Sequence, residues 1–485
     1  MTGSGPATWS DDRSSKGPFV VLHHRRFVRR TTAVLVASTT ALLLGSSLSV
    51  TSATAAGSTT SPPPQVGLFG AQDPTYDGVF RQSLALLAFT ADRTIPPAEA
   101  VTWLLGQQCA DGGFQSFRPR TDAPCLKSDP AKFAGEDTNS TGIAAAALRA
   151  VGRRAAADRA LAWALARQNA DGGFPYYAGG ASDANSTAVV LFGSNTAGRT
   201  PDSVRKGRTS AARFLHGLQI GCAGASTDDD GGFAFQDYGS GLLDNDAASV
   251  QATLALSGSP LPVRPATVTA DVPRATCPAA PDASVSPSAS STGTPAGPAA
   301  ATPSPVQLAA GHLARVMSAS GGAIPQFDFK AGARVPGSVS PGDTAWAALS
   351  LAAAGVGRSQ LDVAIRVLAR SPMKAASLRV AATSAGSAAA RSTDQPGLLA
   401  VTALATSAAG GSAKTVHVYV VRIRATMRVA PVVTTTSPTP STSATPTLAP
   451  TGATSLTPVL AAIGGILLLV GAVGVGSTRR RGTHA

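Results

Sequence analysis

The sequence predicts an all-α domain of repeated helical hairpins, set between low-complexity flanks. Three observations predict it. A turn mark recurs, as QQCADGGFQSF at 107–117, RQNADGGFPYY at 167–177 and TDDDGGFAFQD from Thr227. An Ala/Leu-rich run precedes each mark, and a polar cluster with a second small-residue run follows it. Pro/Ser/Thr-rich stretches interrupt and flank these units, with too little apolar surface to pack. A hairpin that cannot bury its own apolar face must stack on its neighbours, so the internal period decides the architecture first.

The chain has 485 residues. HHRRFVRR precedes the apolar stretch TTAVLVASTTALLLGSSLSV, and Ala53-Thr54-Ala55 fits a small-residue cleavage site. Residues 1–56 therefore read as a secretory signal peptide cut after Ala55 or Ala56, with an uncleaved anchor as the alternative. A Ser/Thr/Pro leader, 57–66, follows. The first part of the repeats spans 67–258. Val101–Gln108 leads into the first mark, and DTNSTGIAAAALRAVG starts at Asp137. Ala160–Gln168 leads into the second, followed by DANSTAVVLFG from Asp183. Ala211–Gln219 leads into the third, followed by DNDAASVQATLALSG from Asp244. Gly-Gly after a helix supplies the positive φ of a C-terminal stop, and Asp, Asn, Ser or Thr before an Ala/Leu run supplies an N-cap. The DGG Asp and the following Asn are 28, 14 and 15 residues apart, so the first unit carries an insertion.

Residues 259–305 read as a disordered Pro/Ala/Ser insertion. The second part of the repeats, 306–411, holds degenerate copies at 320–329, 341–355 and 393–410. YDGVFRQSLALLAFTA at 76–91 adds a further inner helix ahead of the first mark. In 412–431 Val416, Val418 and Val420 alternate with His417 and Tyr419, which predicts a short β segment. A Pro/Thr/Ser stalk occupies 432–447. The apolar run 456–476 is about long enough to span a bilayer, and Arg479-Arg480-Arg481 follows it.

The formal charge of +13 overstates the exposed part. Without 1–56 and the three tail arginines, 31 basic and 25 acidic residues remain. An excess this small, with no basic cluster among aromatics, gives no case for a nucleic-acid partner, and none is expected. The four cysteines fit an oxidising compartment. Three pairings are possible; Cys109–Cys125 and Cys222–Cys277 are favoured because each closes a segment that interrupts the repeat.

Gln108-x3-Gly112-x-Phe114 and Gln168-x3-Gly172-x-Phe174 resemble the QW-type motif of squalene cyclases. Protein prenyltransferase β subunits and cobalamin carriers of the transcobalamin kind share that repeat. The resemblance covers about 67–411 less the insertion. It implies an (α/α)6-type toroid whose inner helices line a central cavity. Leu448-Ala449-Pro450-Thr451-Gly452, with the apolar run and basic tail of 448–485, resembles an LAxTG-type sortase sorting signal. It implies cleavage between Thr451 and Gly452 and attachment to peptidoglycan, or else a plain membrane anchor.

Cyclases of this superfamily use a DxDD acid, and Asp244-Asn245-Asp246-Ala247 lacks its last carboxylate. Prenyltransferases hold zinc on Asp, Cys and His; here the cysteines lie off the inner helices, and His216, His312, His417 and His484 show no ligand spacing. His216 and His312 read as surface or packing residues. No cofactor and no metal are expected. What remains is a polar ring where inner helices begin. The candidate ligand-binding residues are Gln82, Asp137, Thr138, Asn139, Asp183, Asn185, Asp244, Asn245, Asp246 and Gln395. In a toroid they meet at one mouth, beside helix N–H donors. The expectation is a wall-anchored surface protein that binds an unidentified extracellular small molecule without catalysis, corrinoid-like or otherwise bulky and polar. The alternatives are a terpenoid-cyclase-like enzyme with Asp244 or Asp246 as acid, and an adhesive or structural module.

Overall fold

A computed structural model describes residues 65–221, 229–275, 302–328, 333–375 and 395–430. These hold twelve α-helices and three two-stranded β-hairpins of two-residue strands. The odd-numbered helices are α1 (Gly78–Ala91), α3 (Thr138–Ala150), α5 (Ala184–Thr196), α7 (Asp246–Leu256), α9 (Pro341–Ala354) and α11 (Pro396–Ala408). They are buried over nearly their whole length, as a helix apolar on every side must be. These are the core helices. The flanking helices are α2 (Ala98–Gln107), α4 (Arg154–Leu165), α6 (Ala211–Gly217), α8 (Pro305–Ala319), α10 (Arg358–Ala375) and α12 (Ala413–Ala425). In α4, Ala156, Ala157, Ala160, Leu161 and Ala164 form one buried stripe.

The core helices pack in succession: α1 on α3, α3 on α5, α5 on α7, α7 on α9, α9 on α11, and α11 on α1. Small residues make this approach possible. A Cβ added at Gly142 of α3 would stand 2.6 Å from the Val189 carbonyl oxygen of α5, and one at Gly193 of α5 would stand 2.8 Å from that of Gly142. Phe192 of α5 and Trp346 of α9 stack with centroids 5.6 Å apart, bridging two core helices that are not consecutive.

The turn marks hold this arrangement by hydrogen bonds. Gln108 donates to the carbonyls of Gly112 and Ala156, Gln168 to those of Gly172 and Val204, and Gln219 to those of Gly231 and Pro305. Each Gln thus ties its own turn to the entry of the next flanking helix. The first glycine of each mark has positive φ, and a Cβ there would strike a backbone carbonyl of Arg159, Ser210 or Leu308. The buried phenylalanine after the glycines donates its N–H to a hydroxyl near the start of the following core helix. Phe114 bonds Thr141 at 2.9 Å, Phe174 bonds Thr187 at 2.9 Å and Phe233 bonds Ser249 at 2.8 Å. Ile324 and Thr344 repeat the bond at 2.9 Å, and Phe69 makes it to the Gln82 side chain at 2.9 Å.

Two expectations are corrected. Residues 413–425 form α12 rather than a β segment. Val416, Tyr419, Val420 and Ile423 are buried at helical spacing, while Val418 and Val421 are exposed. Packing on α11 and α1 rewards the helical period, and Ser412 caps the start by accepting the Thr415 N–H. The insertion begins as packed chain over 259–275. Leu261, Val263 and Val268 are buried, and the Thr269 N–H donates to the Gly355 carbonyl. The predicted signal peptide, Cys222, Cys277, the predicted stalk, Leu448–Gly452 and the apolar run 456–476 lie outside the described residues. Among those described, no helix is long and apolar enough to cross a membrane.

Thr187→Val should leave the buried Phe174 N–H without a partner and lower the unfolding free energy by about 1–3 kcal/mol in urea titrations. Thr90→Val should cost less than about 0.5 kcal/mol, because that hydroxyl bonds only Leu86 of its own helix.

Candidate functional site

The segments after the turn marks link successive core-helix starts. The carbonyl of Ser116 accepts the Val79 N–H of α1, while that of Phe114 accepts the Asp137 N–H ahead of α3. Tyr176 accepts from Thr138, and Phe174 pairs with Asp183 ahead of α5. Phe235 accepts from Ala184, and Phe233 from Asn245 ahead of α7. First-turn N–H groups expected to face a ligand are therefore partly consumed by neighbouring chain.

Most of the predicted site residues serve this joinery. Gln82 accepts the Phe69 N–H and donates to the carbonyls of Gly67 and Ala100 at 3.0 and 2.9 Å. Asp137 and Asp183 cap α3 and α5 by accepting from the Ser140 and Ser186 N–H groups at 2.6 and 2.7 Å. Asn245 caps α7 through the Ala248 N–H at 2.9 Å. Thr138 donates to the Pro175 carbonyl at 2.7 Å. Gln395 precedes α11 without a side-chain cap bond. Asn185 donates to the Gln251 side chain of α7 at 3.1 Å. Asn139 differs from all of these. It is 2% exposed, and neither its Oδ1 nor its Nδ2 has a hydrogen-bond partner. It sits two residues before Thr141, on the helix face roughly opposite the hydroxyl that staples the turn.

A chain of aromatic rings lies beside the start of α3, where Asp137 and Tyr177 form a β-bridge. Phe133, half exposed at 50%, has φ 49° and meets Tyr177 edge-on at 6.4 Å. Tyr177 meets Tyr176 edge-on at 4.7 Å. Burial raises the Tyr176 phenol well above its ordinary range, and the charges of Asp137 and Asp183 act in the same direction. Burial likewise pushes Asp137 up to about 7 and Asp183 to about 6, against their capping bonds. Asp343, at the start of α9, is pushed to about 6 by burial, with Asp246 adding to the rise. The Cys109–Cys125 disulfide is present, as expected, and Phe133 lies eight residues beyond the loop it closes.

A second polar cluster lies beside the third mark. The Arg334 guanidinium grips Asp246 through two bonds, at 2.9 and 2.8 Å, and also donates to Asp244. His312 Nε2 lies 3.2 Å from Asp244 Oδ2, and Ser249 donates to Asp244 Oδ1 at 2.9 Å. Burial opposes the Asp244 charge, yet the charges of His312 and Arg334 and the bonds to His312 and Ser249 hold its pKa below the ordinary value. His312 is fully buried, with its Nε2 against the Asp244 carboxylate. The sequence reading gave His312 a surface or packing role and did not name Arg334. Repeat phase is the signal that finds His312. A Cβ on the second glycine of each mark would strike Trp163 at Gly113, Phe214 at Gly173, and both Asp244 and His312 at Gly232. His312 thus occupies the place of an aromatic ring, and Asp244 that of Ser182.

No protein-family model and no curated protein matches the chain. A crystal structure of a protein from Actinoplanes is similar at 17% identity over 72% of this chain and 92% of that chain, with a TM-score of 0.38.

The raised carboxyls set the sign of a pH dependence. Folded Asp137, Asp183 and Asp343 keep protons that the unfolded chain releases near pH 4, so stability should fall as pH rises from about 4 to about 7. Asp137→Asn retains a capping oxygen and should flatten part of that slope in urea midpoints taken from pH 4.5 to 8. In the second cluster, Asp244→Ser alone should cost about 3–5 kcal/mol, because it breaks a buried charge network. Adding His312→Phe recreates the Phe214–Ser182 pair of the second unit and should recover more than about 1 kcal/mol in a double-mutant cycle.

Proposed function

We propose that the chain is a wall-anchored surface protein whose helices form an (α/α)6-type toroid, and that it captures an extracellular ligand at the mouth where the core helices begin. The unbroken circuit of packed core helices supports the toroid, and α12 supplies its sixth flanking helix. The LAxTG-like pentapeptide, apolar run and basic tail support anchoring by sortase to peptidoglycan, after a stage held in the membrane by 456–476. The observation that carries capture is Asn139. A buried amide without partners costs about 1–3 kcal/mol, and a bound donor–acceptor group removes that cost. Phe133 held in a left-handed conformation, half exposed, fits a rim residue kept in place for contact.

The Phe192–Trp346 stack narrows the ligand. In such a toroid the two rings occupy interior space between α5 and α9, which favours a ligand smaller than a corrinoid. Asp244 is engaged by Arg334 and His312 and suits a fixed charge better than a cyclase's proton donor. The same stack favours one second reading, an adhesive module whose toroid takes no small molecule.

Native mass spectrometry of the full chain incubated with growth-medium extract separates the two readings. Capture predicts a retained small molecule that Asn139→Leu abolishes while the circular dichroism spectrum is unchanged. A chain that retains nothing from any extract is the adhesive module.

A further inference from the structure

We propose that Asp244, Asp246 and His312 form a site for a divalent transition metal of the zinc class, and that the Arg334 guanidinium is its built-in competitor. The site is separate from Asn139 and does not depend on ligand capture.

The donor set is the first argument. One imidazole nitrogen and two carboxylate oxygens lie within 4.8 Å of one another. Nitrogen and oxygen ligands at zinc's bond length of about 2.0 Å stand roughly 3.3 Å apart in a tetrahedron. His312 Nε2 and Asp244 Oδ2 are 3.2 Å apart, a spacing that matches two ligands of one ion once Arg334 leaves Oδ2. An imidazole with two carboxylates suits zinc, cobalt or manganese better than calcium, which takes six or more oxygens.

The supports are the second argument. Ser249 donates to Asp244 Oδ1 and leaves Oδ2 for the cation. Asn245 fixes the start of α7 by capping it, which holds Asp244 and Asp246 at a set spacing. Gly232 supplies the room, since a Cβ there would lie 2.3 Å from Asp244 Oδ1 and 3.0 Å from His312 Nε2.

The third argument is the cation already there. Arg334 contacts both carboxylates, yet its side chain is 32% exposed and comes from β6 (Ala333–Arg334), a two-residue strand. A guanidinium reaching in from the edge can leave without unfolding a helix. A divalent ion would balance both carboxylates and take the imidazole as a neutral ligand. The two unit-mates show that the fold does not require these groups, because Trp163 and Phe214 fill the same place with apolar rings.

Titration calorimetry of the tag-free full chain with zinc chloride tests the proposal, with cobalt(II) absorption as a second readout and calcium as a control. Arg334→Ala should bind zinc at least tenfold more tightly than the parent. In chelator it should unfold at a lower temperature than the parent, and zinc should raise that temperature by at least about 5 °C. The Asp244→Ser/His312→Phe double variant, built on the second unit's own pair, should fold and bind no zinc. The proposal fails if neither the parent nor Arg334→Ala takes up zinc. It also fails if Arg334→Ala binds no more tightly than the parent, if the double variant binds as the parent does, or if calcium alone is bound.

Discussion

One buried amide in each repeat governs this fold. The peptide N–H of Phe114, Phe174 or Phe233 is carried into the interior by a side chain too large to sit elsewhere, and there it must find an acceptor. The acceptor is a hydroxyl four residues beyond the N-cap of the next core helix, on Thr141, Thr187 or Ser249. That bond fixes the rotation of the core helix about its own axis. With the rotation fixed, the residues around N-cap+2 turn away from the mark. Gly142 of α3 comes against α5 and Gly193 of α5 against α3, where only glycine allows the backbones to meet.

The staple also explains why so many polar residues begin each core helix. In DTNST the Asp caps, the first Thr holds the neighbouring chain at Pro175, and the last Thr takes the phenylalanine amide. In DANST the Asp caps and the last Thr takes the amide of Phe174. The Asn is the residue left over. In α5 it reaches Gln251 of α7, and in α3 it reaches nothing. A surplus of polar residues therefore reduces to one position per helix with a question attached.

The repeat was legible in the sequence because glycine pairs, N-caps and small-residue runs are local features with local causes. The Cys109–Cys125 disulfide was legible because the insertion it closes breaks the spacing. Residues 413–425 were misread because two periods coexist there: valines at 416, 418 and 420 alternate, while 416, 419, 420 and 423 make a helical stripe. Only the neighbours, α11 and α1, select between them. Arg334 was invisible for a related reason. Its partners are 88 and 90 residues away, and nothing in its own neighbourhood marks it. His312 was visible in principle, through its phase on the flanking helix, but only once the marks' second glycines are known to rest on that phase.

The third unit shows where the fold's internal logic stops being sufficient. Units one and two place an indole and a phenyl ring over the second glycine, and each ring buries apolar surface there. Unit three places an imidazole there, brings a carboxylate beneath it, and recruits a second carboxylate and a guanidinium to balance the first. Replacing such a buried charge network with apolar groups is often neutral or stabilising. The chain carries the apolar solution twice and departs from it once, so stability alone does not account for the departure. Local rules of a fold are broken most often where a site needs them broken. Here the break is confined to four side chains, all at the start of one core helix or reaching toward it.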